Sequence, residues 1–181
     1  HSTSRRQRQM CIRDSSILGR KEFVPPIQAV DDGWRLNLDF EERSLLVRLM
    51  DELRALLTST DDNPLLNRLF PTAYPDDEEK EAEYQRLMRE ELVASRLASI
   101  NLVTSLLAPD APAVFDEERT VAFMQSINAI RLVLGTLLGI TDDESADAAQ
   151  AAADAGTESP EHQLYDFLSW LLEWTVRSLS E

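Results

Sequence analysis

One stretch constrains this chain more than any other: Asp116 to Gly139, DEERTVAFMQSINAIRLVLGTLLG. It reads as a single helix whose apolar residues do not keep to one stripe. Val121, Met124, Ile127, Leu134 and Leu138 give one face, and Phe123, Ile130, Val133 and Leu137 give another. A helix apolar on most of its circumference belongs among other helices. Its ends are marked by Asp116 as an N-cap, by Glu117 and Glu118 at the positive end of the dipole, and by Gly139 as a stop. Only Asn128 and Arg131 put polar groups on the first face, one turn apart. Gly135 follows, where a missing side chain admits a close neighbour. The expected neighbour is the small-residue stretch Ala94, Ser95, Ala98 and Ser99 of the preceding helix.

The remaining elements arrange themselves around that axis. In the 23–38 segment, Pro25 and Pro26, then an Asp31-Asp32-Gly33 turn signal, then alternating Trp34-Arg35-Leu36-Asn37-Leu38 predict a small β-hairpin. The prolines confine its first strand to an edge. A lone hairpin is marginal in water, so it must lie on the helices, with Trp34, Leu36 and Leu38 as the buried side. Asp39 with Glu42 three residues on makes a capping box and opens a 40–58 helix with Leu45, Leu46, Leu49, Leu53, Leu56 and Leu57 at helical spacing. Residues 58–77 form a connection in which Leu65, Leu66, Leu69, Phe70 and Tyr74 are too apolar for a free loop. Residues 77–107 hold no Pro or Gly and predict one long helix, charged in its first half and apolar in its second. Segment 141–159 is acidic, Ala-rich and without core pattern, so it reads as a loop. Ser159 and Pro160 open a 160–179 helix. There Leu164, Phe167, Leu168, Leu171, Leu172, Thr175, Val176 and Leu179 face inward, and Trp170 and Trp174 widen that face.

At 181 residues the chain is long enough for one domain with a real core. No run reads as approaching membrane-spanning length, and no membrane role is expected. The formal net charge of −15 argues against direct nucleic-acid contact, which rests on clustered Lys and Arg. Arg5 to Ser15, RRQRQMCIRDS, back-translates codon by codon into a sequence that resembles the adapter of transposase-based sequencing libraries. Residues 1–15 therefore read as an adapter-derived, disordered artefact, and 16–181 as a single helical domain. Removing that segment's net +3 leaves the rest at −18, and Cys11, the only cysteine, goes with it.

The chemistry-bearing residues are sparse. His162 is the only histidine beyond the first residue, and there is no Glu-x-x-His pair, metal-ligand cluster, phosphate-cradling glycine loop or nucleophile–base set. No catalytic residue, cofactor or metal is expected. The paired acids Asp61/Asp62, Asp76/Asp77 and Asp142/Asp143 read as turn and cap residues. Asn128 and Arg131 form the sharpest polar pair. They are either a ligand or partner contact, or a structural pair in which Arg131 meets Glu90 or Glu91 and Asn128 satisfies a loop carbonyl. Trp170 reads as core, and Trp174 as core or as an interface residue.

NPLLNRLFPTAYPDDEEKEAEYQRLMREEL, SINAIRLVLGTLLGIT and HQLYDFLSWLLEWTVRSL, in that order, resemble the actinobacterial domain-of-unknown-function family two-zero-one-seven, over about Gly33 to Leu179. The resemblance implies a cytoplasmic, mostly helical protein, encoded near a Clp protease adaptor and sulfur-carrier or cysteine-synthesis genes. It also implies, for some members, an oxidative-stress transcription regulator of the AosR type with a cysteine-pair switch. This chain has no such pair, so a thiol switch does not carry over.

The expected fold is thus mainly α, a bundle of about four main helices with an N-terminal hairpin. The expected function is a cytoplasmic regulatory or adaptor protein working through a protein partner, in stress-linked transcription control. The alternatives are a DNA-associated regulator without a thiol switch, and an enzyme linked to cysteine or sulfur metabolism. Asn128, Arg131 and Trp174 are the candidate partner or structural polar site.

Overall fold

The computed structural model describes residues 22–59, 63–140 and 159–181. The adapter-like segment with Cys11, Asp61 and Asp62, and the acidic stretch with Asp142 and Asp143 lie outside the described residues. The protein is mainly α. A two-stranded antiparallel hairpin, β1 (Ile27–Val30) and β2 (Gly33–Leu36), precedes α1 (Phe40–Thr58). A short 3₁₀ helix (Pro64–Leu69) follows, then α2 (Glu78–Leu107), α3 (Glu117–Leu138) and α4 (Pro160–Leu179).

The helix limits follow from their caps. Asp39 accepts from the Glu42 N–H at 2.8 Å while the Glu42 carboxylate accepts from the Asp39 N–H at 3.1 Å, a complete capping box. Asp77, Asp116 and Ser159 accept from the N–H groups of Lys80, Arg119 and His162. Gly139 ends α3 in the left-handed region at φ 71°, where a side chain would be strained.

α3 is the axis of the bundle. It packs against α4, α2 and the 3₁₀ helix, and Phe123, Ile127 and Ala129 are fully buried. Leu46 and Met50 of α1, Ile100 and Val103 of α2, and Leu168 and Leu171 of α4 complete the core. Contrary to the sequence reading, α3 is by length and composition apolar enough to cross a membrane. Packing against α4, α2 and the 3₁₀ helix buries 39% of that apolar window inside the fold. Leu137 departs from the expected apolar face, being 59% exposed.

The hairpin is tied down at two points. Ile27 pairs with Leu36 and Val30 with Gly33. Trp34 and Phe115 exchange both backbone hydrogen bonds at 3.0 Å, which fastens β2 to the segment entering α3. Leu36 and Leu38 are buried as expected, while Trp34 is only half-buried. The Arg43 guanidinium donates to the carbonyls of Leu38, Leu36 and Leu106 at 3.0, 3.2 and 3.3 Å. One α1 side chain therefore joins the hairpin to the last turn of α2, where carbonyls lack intrahelical donors and a cation is favoured.

The 3₁₀ helix buries Leu66 and Leu69, with Phe70 behind them. Tyr74 does not join the core as expected. It is 45% exposed and meets Tyr84 edge-on at 6.0 Å. In α2 the apolar second half supplies the buried residues Ile100, Val103, Leu106 and Leu107. The charged first half lies along the connection, with Glu81 accepting from the Ala73 and Tyr74 N–H groups and Arg89 over the Phe70 ring at 5.0 Å.

Candidate functional site

Asn128 and Arg131 come together, but not with the partners expected. One Arg131 N–H donates to Asn128 Oδ1 and another to Tyr165 Oη, each at 3.2 Å. The guanidinium also lies over the Tyr165 ring at 5.7 Å, a cation–π contact. No carboxylate reaches it among the described residues, so neither Glu90 nor Glu91 is the counter-charge. Asn128 satisfies no loop carbonyl; its oxygen serves Arg131. The third guanidinium position, Nε, is buried without a hydrogen bond.

Tyr165 is the residue sequence reasoning missed. It is 5% exposed and sits three residues after His162, on the face that continues through Leu168, Leu171 and Thr175. Its ring fills the space left by Gly135, where a Cβ would lie 3.2 Å from Tyr165 Cε2 and 3.3 Å from Arg68 Nη1. This corrects the expected approach of Ala94, Ser95, Ala98 and Ser99. The neighbours of Gly135 come from α4 and the 3₁₀ helix, and Arg68 also donates to the Ile140 carbonyl at 3.2 Å.

Trp174 is half-buried against the core, with Phe23 at 5.5 Å between ring centroids and Arg177 over its face at 5.3 Å. Trp170 is not the core residue expected. It is 37% exposed and contacts Phe167 at the surface, and Val176, expected inward, is also exposed. His162 is part of the α4 cap, its Nδ1 2.7 Å from Ser159 Oγ.

Grooves open beside this framework, of which two bear on function. A groove of about 740 Å³ is walled by β2, the start of α1, the end of α2 and the proline-bearing segment 108–115. Leu36, Val47, Leu106, Leu107 and Phe115 give it an apolar lining, and Phe40, in the first turn of α1, stands at its edge 77% exposed. Its charged lining residues are Arg35 and Arg43. Arg43 is occupied by main-chain carbonyls, while Arg35 has no hydrogen bond or ion pair among the described residues. The second groove, of about 460 Å³, lies between α2, α3 and α4 and includes Asn128 and Arg96. Among the described residues no group of three or more His, Cys, Asp or Glu side chains is placed to hold a metal ion.

No curated protein and no solved structure matches the chain. A family model matches residues 24–179, and its description, a domain of unknown function, overturns the narrower expectation of an AosR-type oxidative-stress regulator. Nothing in that description carries a regulator type or a redox switch, and with no cysteine in the matched span there is no thiol for one. By this match the chain belongs to the family Domain of unknown function (DUF2017).

Proposed function

We propose that this protein is a cytoplasmic regulatory or adaptor module that works by protein–protein contact, with the groove beside Phe40 as its docking surface. The observation that carries the reading is Phe40 itself. A large aromatic 77% exposed at the rim of an apolar groove is the arrangement of an interface anchor. Arg35 adds an uncommitted cation at the same edge, so a partner segment with an apolar anchor and a nearby acidic group fits best. Prolines 109 and 112 stiffen one wall, which lowers the ordering cost of binding.

The test is affinity capture with the chain lacking residues 1–15, comparing wild type, Phe40→Asp and Arg35→Glu. The expected result is one set of proteins retained by wild type, lost with Phe40→Asp and reduced with Arg35→Glu, at unchanged helical content. Retention that ignores both substitutions rejects the groove. A duplex-DNA titration of the same trimmed chain is the second arm. At a charge of −18 once the segment's net +3 is removed, binding at physiological salt is expected to be weak. Sub-micromolar affinity would replace this reading with a DNA-associated one.

A further inference from the structure

The groove between α2, α3 and α4 holds a cation that meets no counter-charge among the described residues. Arg96 is half-buried there and has no hydrogen bond or ion pair among the described residues. Burial pushes its pKa down, yet a guanidinium stays charged. A partly desolvated charge without a partner is costly. The chain has 33 acidic residues against 18 Lys and Arg, and still none of the lining residues is acidic. On α2 itself the positions that could reach Arg96, three and four residues away, are Leu92, Val93, Ser99 and Ile100.

The polar groups around Arg96 are neutral, and each can donate. The Ser95 and Ser99 hydroxyls make no hydrogen bond among the described residues, whereas the Thr104, Thr136 and Thr175 hydroxyls each fold back onto a carbonyl of their own helix. Gln125 is likewise uncommitted. Asn128 has its oxygen taken by Arg131, which leaves its Nδ2 amide as the group it can offer. Arg131 is thus a positioning residue that fixes which end of the Asn128 amide is available. Beside these donors, Leu92, Met124, Leu172 and Val176 form an apolar bed.

We infer that this groove is a binding site for a small organic carboxylate with an apolar body, the carboxylate on Arg96 and the Asn128 amide and the body over Met124 and Leu172. One arginine with neutral donors matches a monoanion. The apolar bed excludes a bare, strongly hydrated ion as the best ligand. The site shares no lining residue with the groove beside Phe40, and the inference does not rest on the function proposed for that groove.

The test uses the full chain with methyl-labelled methionine and octanoate as the probe. Octanoate is expected to shift the Met124 methyl resonance saturably and to leave buried Met50, on α1, unmoved. Octanol should bind about tenfold more weakly or worse, as should octanoate to Arg96→Met, because each loses the charged hydrogen bonds. Ser99→Glu gives an independent reading, since a carboxylate one turn from Arg96 should occupy it, abolish octanoate binding and raise the melting temperature. Equal affinity for octanol, undiminished octanoate binding in Arg96→Met or in Ser99→Glu, or an equal Met124 shift from inorganic phosphate would each overturn the inference.

Discussion

The Trp34 indole N–H donates to the Ser178 carbonyl at 3.1 Å across 144 residues of sequence. It joins the hairpin to the last turn of α4, whose carbonyls lack intrahelical donors. The same residue exchanges backbone hydrogen bonds with Phe115, so the hairpin, the entry to α3 and the end of α4 meet at one residue. Trp34→Phe keeps most of the apolar contact and removes the indole donor. It is expected to lower stability by about 1 kcal/mol. Urea unfolding should show a lower midpoint with the same slope.

Gly33, next to it, has no substitute. Its φ is +148°, and a Cβ there would lie 2.3 Å from the Phe115 carbonyl oxygen, which is the acceptor of the Trp34 N–H. Gly33→Ala must move that backbone or break the pairing. A cost of about 2–4 kcal/mol is expected, from strain of the kind seen at unusual backbone conformations together with a lost hydrogen bond. Thermal unfolding measures it, and a change within experimental error would show that the hairpin can detach at no cost.

The parts of this fold written in local pattern were legible in the sequence. Asp39 with Glu42, Asp116 and Gly139 at the two ends of α3, and Ser159 with Pro160 set helix limits through groups that act within a turn of the end they mark. The misplacements involve contacts across the sequence. Trp170 precedes the inward residue Leu171, and one residue is about 100° around a helix, so its ring leaves the core face despite sitting one turn before Trp174. Tyr165 was passed over because its hydroxyl weakens the apolar pattern, yet that hydroxyl is what Arg131 needs, 34 residues away. Nothing near Arg131 or Gly135 in sequence encodes Tyr165 as their common neighbour. Arg96 is silent for the same reason: a lone arginine among small and apolar residues looks solvated until the helices packed on it are known.

Glu81 gives the connection before α2 a pH dependence. The Gln85 side chain, then the Tyr74 and Ala73 N–H groups, hold its carboxyl below the ordinary value. A carboxylate whose folded pKa is depressed contributes stability that is fully present above the unfolded value of about 4.3 and lost as pH falls through the folded value. Glu81→Gln should therefore be less stable than wild type at neutral pH, with the gap closing as pH falls below the ordinary carboxyl range. Protease cleavage in segment 71–77 should increase in the variant at neutral pH. A gap that widens on acidification would mean the contacts to residues 73 and 74 do not form in solution.

Gly135 tests whether α3 is the axis around which the other helices are fitted. Glycine within a helix costs about 1 kcal/mol relative to alanine, and the space for a methyl group is contested by Tyr165 at 3.2 Å and Arg68 at 3.3 Å. Arg68 is the far end of a flexible side chain. Tyr165 is held by burial and by its hydrogen bond to Arg131. Gly135→Ala should gain helix propensity and lose a comparable amount in displacing the ring, leaving stability within about 1 kcal/mol of wild type. Gly135→Leu cannot be accommodated by side-chain shifts and should destabilise by about 1–3 kcal/mol or more. Removing the ring separates the two terms. In a Tyr165→Ala background, itself destabilised by the cavity, Gly135→Ala should become stabilising by about 1 kcal/mol. If Gly135→Ala has the same effect in both backgrounds, Tyr165 is not what occupies the space beside the glycine.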